Sequence, residues 1–548
     1  MNRKEYSELL LPNVKHDVLY YEQQYPERAL PEGAMVTRFG PSPTGFVHMG
    51  SLYSSFADLV FAHQTKGIAY LRIEDTDQKR EIKDGVAGII NDFDRLGIIW
   101  DEGPTQGGNY GPYIQSARKD IYQAYARLLI EKDLAYPCFC NEEFLDNQRV
   151  LQEQKKARLG YYGKYAKCRN LTEEEVIAKV KAGEKYAIRM KSPGSFENKV
   201  ILDDLIKGQI IMNENDLDHV IIKSGDGLPT YHFAHAVDDH LMKTTHVIRD
   251  DSWVSSYPIH QQLFKMLGFI EPQYAHIAPI TIKEGNSVRK LSKRKDPTAA
   301  ISYYTQLGIP HEVIKLYLAS VNNSNFEEWY TNNPDKTIED FTFTFNKMPI
   351  GGSLFDIDKL MSIAKIYFSS QKSEVIYEKL LTYTKEYDPD FYQIIKAQKT
   401  KTIATLDIER YVPRPRRDIG SYSDYKKYSW YMYDELVGNS DYEKITKKEF
   451  YDDQILNEYI TSYYNETDTK EEWFNKIKEL AGKNNFAKEV KEYKQNPEAY
   501  QGHVGDVCEL IRVAVTTQTM TPDLYEILKV LGKESIQKRI NLFGEYLK

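Results

Sequence analysis

The sequence predicts a multidomain protein: a parallel α/β domain, divided by an insertion and followed by a mostly α-helical region. Three observations carry this. Short β-type runs alternate with helical stripes over residues 34–135, the rhythm of a parallel sheet covered by helices. That rhythm breaks between Tyr136 and Asn215, a stretch holding three of the four cysteines, and resumes at Val220-Ile221-Ile222. Beyond about Ala300, helical stripes dominate. The 548 residues allow about three to four folding units at roughly 150 residues each. Charged residues at 28% and aromatics at 13%, with mixed signs throughout, exclude a disordered or fibrous chain. The formal charge of −8 excludes a wholly basic nucleic-acid binder and leaves local basic faces open. Cys138, Cys140, Cys168 and Cys508 are too few for a disulfide framework and point to a reducing compartment. The amino terminus lacks the apolar run of a signal peptide, and no stretch nears the ~20 apolar residues of a membrane helix. A cytoplasmic protein that binds no membrane is expected.

The elements follow in order. Residues 1–33 are polar and close on Pro31-Glu32-Gly33, an extension ahead of the first domain. Ala34 to Phe39 reads as a strand, and Gly40-Pro41-Ser42-Pro43-Thr44-Gly45 as a breaker loop. Leu52, Phe56, Leu59, Val60 and His63 then share a helical face that Gly67 ends. Ile68 to Ile73 is a second strand, and Val86, Ile89, Ile90, Phe93 and Leu96 form a second stripe closed by Gly97. Ligands of such sheets bind beyond the carboxyl ends of the strands, where the Gly/Pro loop lies.

Five constellations carry chemistry. Arg38-Phe-Gly-Pro-Ser-Pro-Thr-Gly-Phe-Val-His48-Met-Gly50-Ser51 runs from strand to helix. Gly45 and Gly50 admit a ligand close to the backbone, and the helix start offers N–H groups to an anion. His48 can donate to a phosphate as charge develops there; taken alone, the same residues make a capping turn. Around Lys290-Leu-Ser-Lys293-Arg294-Lys295, six cations face two acids between Lys283 and Asp296, a net +4. That cluster can neutralise a polyphosphate, with Gly285 letting the loop close, or can be a solvated basic loop. Arg249 follows the strand-like His246-Val247-Ile248, and Arg38 ends the first strand. Two guanidiniums at strand ends suit a carboxylate, unless each is paired with Asp75, Asp77 or Asp239. Cys138-x-Cys140 with Cys168 is either a metal site or a set of buried thiols. Lastly, seven cations face two acids from Phe391 to Arg417, a net +5, beside Tyr411, Tyr422, Tyr425, Tyr428 and Trp430. Arginines grip phosphates and aromatics stack on splayed bases; in isolation the stretch would be a solvated helix face.

Together the first two constellations resemble the two signature motifs of class I aminoacyl-tRNA synthetases, in the form found in bacterial-type glutamyl-tRNA synthetases. Similar too are Arg72-Ile-Glu74-Asp-Thr-Asp77 and Pro229-Thr-Tyr231-His-Phe-Ala-His-Ala-Val-Asp-Asp-His-Leu-Met, running on to Val247-Ile-Arg249. So are Asp418-Ile and Thr521-Pro-Asp-Leu-Tyr-Glu-Ile. The resemblance covers about 34–548, strongly as far as Lys295. It implies a Rossmann-type catalytic domain over 34–135 and 216–300, divided by a connective, acceptor-stem domain over 136–215. A helical stem-contact domain over 301–370 and a helical anticodon-binding domain over 371–548 would follow.

The implied activity is ATP-dependent activation of L-glutamate and its transfer to tRNA(Glu), with Mg²⁺ accompanying ATP. His48, Lys290 and Lys293 would stabilise the reacting phosphates, and Gly50, Ser51 and Arg294 would join them around ATP. Arg38, Tyr231 and Arg249 would hold the glutamate side-chain carboxylate. Ser42 and Glu74 would place the amino acid, with His235 and Trp253 as further pocket positions. Zn²⁺ would sit on Cys138, Cys140 and Cys168 with Tyr165 as fourth donor, since Asn170 stands where some relatives have histidine. Arg414, Arg416 and Arg417 would meet the anticodon loop, and the chain would act as a monomer. Departures are Ser51 for a second histidine, His235 for asparagine, Asp250 for a small residue, and Ser252 where acids are common. Competing readings are a synthetase that charges glutamine or accepts both tRNAs, a truncated paralogue that glutamylates a tRNA base, and a non-catalytic RNA-binding relative. Two arginines at the carboxylate argue against glutamine. The long helical region argues against the truncated form, and retention of His48, Lys293, Arg38 and Arg249 argues against the last.

Overall fold

The structure, a computed structural model, describes residues 1–43, 45, 47–77, 84–292 and 295–548, with the side chain of residue 439 left aside. The chain forms two compact units, one of Met1–Tyr303 with Ile314–Asp356 and one of Tyr304–Val313 with Ile357–Lys548.

In the first unit, helices α1 (Arg3–Leu10) and α2 (Val18–Gln24) precede β1 (Val36–Phe39), α3 (Met49–Gln64), β2 (Ile68–Leu71), α4 (Gly85–Arg95) and α5 (Lys119–Glu131). β1 and β2 pair in parallel, Val36 opposite Ile68, as a strand–helix–strand unit requires. The pairing stops at Leu71, and Ile73 bridges to Ile114 instead. Leu52 and Phe56 of α3 are buried, Leu59 and Val60 are half-buried, and His63 reaches solvent with Nε2 3.0 Å from Asp101.

The insertion carries β3 (Ala135–Cys138), α6 (Glu142–Gln154), α7 (Glu173–Lys181), β4 (Ala187–Met190) and the hairpin of β5 (Lys199–Asp204) and β6 (Gly208–Asn213). Then come β7 (Val220–Ile222), α8 (Tyr231–Leu241), β8 (His246–Asp250), α9 (Tyr257–Leu267), β9 (Gln273–Ile277) and the hairpin of β10 (Ile280–Glu284) and β11 (Ser287–Lys290). Parallel β8 and β9 lie beside the β1–β2 pair, and the Thr245 N–H to Val36 carbonyl bond (3.0 Å) sets β1 next to them. Two strands depart from the sequence reading. Val220–Ile222 pairs antiparallel with β4 in the insertion's sheet, and β5 joins β9 through Asp204 opposite Tyr274. A short apolar run carries no periodicity that identifies its sheet.

The amino-terminal extension is part of this unit's core. Tyr6, Leu10, Tyr21 and Tyr25 are buried with Tyr122, Tyr125 and Leu129 of α5. Glu22 takes the Tyr125 hydroxyl (2.6 Å) and meets His240 Nε2 (2.9 Å). Arg28 forms a bidentate pair with Glu102 (2.8 and 2.9 Å), donates to the Met242 carbonyl (3.0 Å), and stands 3.7 Å over the Tyr110 ring. Glu22 and Arg28 thus each tie chain that precedes the insertion to chain that follows it.

The second unit is helical around one core, from Phe368 to Phe543. Tyr422 and Tyr425 belong to that core rather than to a base-stacking surface, because their three-residue spacing puts both on the inner face of one helix. Tyr411 is 68% exposed. Among the described residues, no helix is long and apolar enough to cross a membrane.

Candidate active site

A cavity of about 520 Å³ opens beyond the carboxyl ends of β1 and β8. Arg38 and Arg249 reach it from those strand ends, since each is the third or fourth residue of a short parallel strand. Tyr231, first residue of α8, and Trp253 line it beside them, ring centroids 4.3 Å apart. Ser42, Glu74, His48, Gly50 and Ser51 line it from the Gly/Pro loop, the end of β2 and the start of α3; Lys290 enters from β11. His235 does not line the cavity. It is wholly buried, its ring parallel to Tyr231 at 6.0 Å, with Nδ1 2.8 Å from Asp239. Lys293 and Arg294 lie outside the described residues.

Local geometry assigns donors and acceptors. His48 caps α3, and its Nδ1 accepts the Ser51 N–H (3.1 Å). The neutral ring therefore carries its proton on Nε2, as a donor. Gly50 is required here, for a Cβ would lie 2.8 Å from His48 Cε1. Gly40 likewise makes room for Glu74, whose Oε1 would be 2.3 Å from an added Cβ.

The charges are distributed unevenly. Asp239 pairs with Arg72 Nη1 (2.5 Å) and Arg38 Nε (3.4 Å), and Arg72 also holds Glu74 (3.0 Å). Burial by itself would raise the Asp239 pKa, yet Arg72, His235 and Arg38 hold it well below the carboxylate range. Burial raises Glu74 despite Arg72 and Arg38. Thus Arg38 both lines the cavity and has an internal acid, as the ion-pair alternative required for it. Arg249 makes no ion pair with a carboxylate among the described residues; Asp75 instead accepts from Ser116 N–H and Oγ. Lys290 meets Asp250 at 2.8 Å. Arg289 is committed to Glu284 and Asp296 (2.9 and 2.7 Å), and its hydrogen bonds hold Asp296 at about 2. That arginine braces the base of the loop through these two acids.

In the insertion, the Sγ atoms of Cys138, Cys140 and Cys168 lie within 4.8 Å of one another, Cys140 and Cys168 at 3.6 Å. Sulfurs sharing a tetrahedral zinc stand ~3.7 Å apart, so the thiols fit the ion. The fourth donor at hand is Tyr161, not Tyr165: its hydroxyl is 3.4 Å from both Cys138 and Cys140 and accepts the Cys168 N–H (3.0 Å). Tyr165 packs its ring on Tyr162 at 5.5 Å. Hydrogen bonds with Cys140 and Cys168 hold Cys138 down, and those with Cys138 and Cys168 push Cys140 up. In the second unit, Arg414 and Arg417 are exposed, whereas Arg416 is turned inward onto Asp418 (2.6 Å).

Residues 34–360 match the family model described as tRNA synthetases class I (E and Q), catalytic domain. The chain belongs to this family of class I synthetases. Residues 422–543 match an anticodon binding domain. The glutamate–tRNA ligase of Clostridium perfringens (strain 13 / Type A) is 43% identical over 547 residues, 98% of this chain and 100% of that one. That of Acetivibrio thermocellus is 43% identical over 544 residues, 98% of this chain and 99% of its own. A crystal structure of a glutamate tRNA ligase from Elizabethkingia meningosepticum, in complex with its amino acid, superposes with a TM-score of 0.74 at 27% identity, covering 94% of this chain and 100% of that one. The cavity brings together two arginines at one pair of strand ends, a capped helix start and a lysine. Sequence reasoning missed Asp204, His260, His276 and Tyr161. Of these, only His276 stands in an otherwise apolar run, Tyr274 to Ile277 of β9, a signal that could have found it; Asp204 follows Asp203 and His260 precedes two glutamines, so nothing local marks them.

Proposed function

We propose that this chain is a glutamate–tRNA ligase: it forms glutamyl-adenylate from ATP and L-glutamate and passes the glutamyl group to the 3′-terminal adenosine of tRNA(Glu). The observation that supports this best is the single cavity that joins Arg38 and Arg249 to His48 and the start of α3. A pocket of that size suits a small substrate beside a nucleotide. The glutamate α-carboxylate oxygen bonds to the α-phosphorus, and the phosphorus–oxygen bond to pyrophosphate breaks, its electron pair leaving with pyrophosphate. The ribose hydroxyl of the terminal adenosine then attacks the acyl carbon, and AMP departs. No protein nucleophile takes part; catalysis is positioning and charge stabilisation.

Each residue has a place in this scheme. Arg249 and Arg38 receive the side-chain carboxylate with the Tyr231 hydroxyl, Trp253 closes the pocket wall, and Ser42 and Glu74 meet the amino acid's ammonium end. His235 acts through Tyr231. His48 Nε2–H, Gly50, Ser51 and the first turn of α3 stabilise the α-phosphate. Lys290 and Lys293, with Arg294, stabilise departing pyrophosphate. Mg²⁺ comes with ATP on its phosphates. Zn²⁺ would be held by Cys138, Cys140, Cys168 and Tyr161, supplying a rigid crosslink in the acceptor-stem insertion. Arg414 and Arg417 meet tRNA phosphates in an anticodon-binding region over 371–548.

Pyrophosphate exchange tests the reading. Exchange should depend on glutamate and rise with tRNA(Glu), and Lys293→Ala should slow it ~10²-fold by removing a transition-state contact. Exchange with glutamine alone would overturn the assignment, and charging of purified glutamate and glutamine tRNAs decides which is accepted.

A further inference from the structure

The two arginines of the pocket are held by opposite means. Arg38 has a carboxylate, Asp239, at 3.4 Å. Among the described residues, the hydrogen-bond partners of the Arg249 guanidinium are imidazoles. Its Nε–H donates to His276 Nε2 (3.0 Å), and both terminal nitrogens lie 3.3 Å from His260 Nδ1. Arg249 is 5% exposed and both histidines 0%, so water cannot replace these bonds. The guanidinium also stands 4.8 Å over the Tyr274 ring.

A guanidinium has only donors, so each imidazole must turn a lone pair to it. On His276 that choice is enforced from behind. Asp204 Oδ2 lies 2.6 Å from Nδ1 and accepts the His276 backbone N–H (3.0 Å), while Oδ1 takes the Ile206 and Lys207 amides (3.0 and 2.9 Å). A carboxylate so anchored keeps the His276 proton on Nδ1 and the lone pair on Nε2. His260 directs its own Nε2–H to His232 Nδ1 (2.9 Å). Burial, together with the Arg249 charge, lowers the pKa of both rings and keeps them neutral. Asp204, the acid behind His276, therefore lies one imidazole away from the guanidinium.

We propose that Asp204, His276 and His260 are positioning residues that make Arg249 the charge-reading member of the pair. They fix the guanidinium with neutral acceptors and leave its positive charge for the substrate's side-chain carboxylate, setting the preference for glutamate over the isosteric amide. This rests on the reading that Arg249 meets that carboxylate. A carboxylate in place of His276 would cancel the charge. A reversed His276 tautomer would set N–H against N–H and turn the guanidinium out of line.

The test is exchange kinetics with glutamate and with glutamine, tRNA present, on His276→Phe, His276→Gln, Asp204→Asn and Arg249→Gln. His276→Phe and Asp204→Asn should raise the glutamate KM about tenfold or more and lower the glutamate-to-glutamine ratio of kcat/KM similarly, with the ATP KM within about twofold. His276→Gln, whose amide oxygen can accept from Nε–H, should recover most of both. If His276→Gln does no better than His276→Phe, the ring acts by packing and the proposal falls. Should His276→Phe not fold, His260→Gln against His260→Leu makes the same comparison at the second acceptor. Arg249→Gln separates the two ideas. Glutamate kcat/KM kept within a few-fold there would refute the carboxylate reading itself; collapse there with a wild-type ratio in the other variants would refute only the positioning shell.

Discussion

A methyl group at Gly50 would meet the His48 ring at 2.8 Å, so the residue two places along decides where that imidazole sits. Gly50→Ala should push the imidazole off its Ser51 bond and lower the rate of adenylate formation about tenfold or more, with a smaller change in ATP binding. Single-turnover adenylation with an ATP titration checks it; an unchanged rate would mean that His48 is only a helix cap. At Arg249 the expected outcome concerns selection. Glutamine matches glutamate in shape, but its amide turns N–H groups toward a guanidinium that has only donors. Arg249→Gln removes the charge and can both donate and accept, so glutamate activation should collapse while the glutamine-to-glutamate ratio of kcat/KM rises. Arg38→Gln should do this less cleanly, because Asp239 already compensates that charge.

Among elements, the amino-terminal extension works as a strap over the catalytic unit. Arg28 and Glu102 have side chains 6% and 14% exposed, and cutting a buried pair leaves one charge unpaired. Arg28→Ala should therefore cost about 3 kcal/mol of stability, read as a lower thermal midpoint. A midpoint equal to wild type would make the strap a loosely docked tail. In the insertion, the three thiols and Tyr161 form a second local element. Elemental analysis should find about one zinc per chain, lost in Cys138→Ser or Cys140→Ser. Tyr161→Phe should weaken metal retention against a chelator while Tyr165→Phe should not, because, of the two, Tyr161 presents its hydroxyl to the sulfurs.

For the molecule as a whole, the proposed function assigns tRNA contact to exposed arginines of the second, helical unit. Arg414→Ala with Arg417→Ala should raise the KM for tRNA and reduce its salt dependence, leaving glutamate and ATP constants alone. Arg416→Ala should instead lower stability, since that side chain is 11% exposed and bonded to Asp418. A tRNA KM unmoved by the double substitution would place the anticodon elsewhere.

Local sequence by itself determined the strand–loop–helix unit around Arg38 and His48, the division of the sheet by an insertion, and the helical carboxyl-terminal half. Those features are written in periodicity, breakers and short motifs, and local sterics enforce them wherever they occur. It also named ten residues that line the cavity, because class I motifs lie at strand ends and helix starts. Only the tertiary structure decided which sheet Val220–Ile222 enters, that Tyr161 stands at the thiols, that Tyr425 is core, and that Arg416 faces inward. It alone separated the two arginines, one compensated by Asp239 and one held by His276 and His260. The physical reason is range. A hydrogen-bond partner 27 residues away, as His276 is from Arg249, is chosen by how strands and helices pack, and no local pattern records that choice.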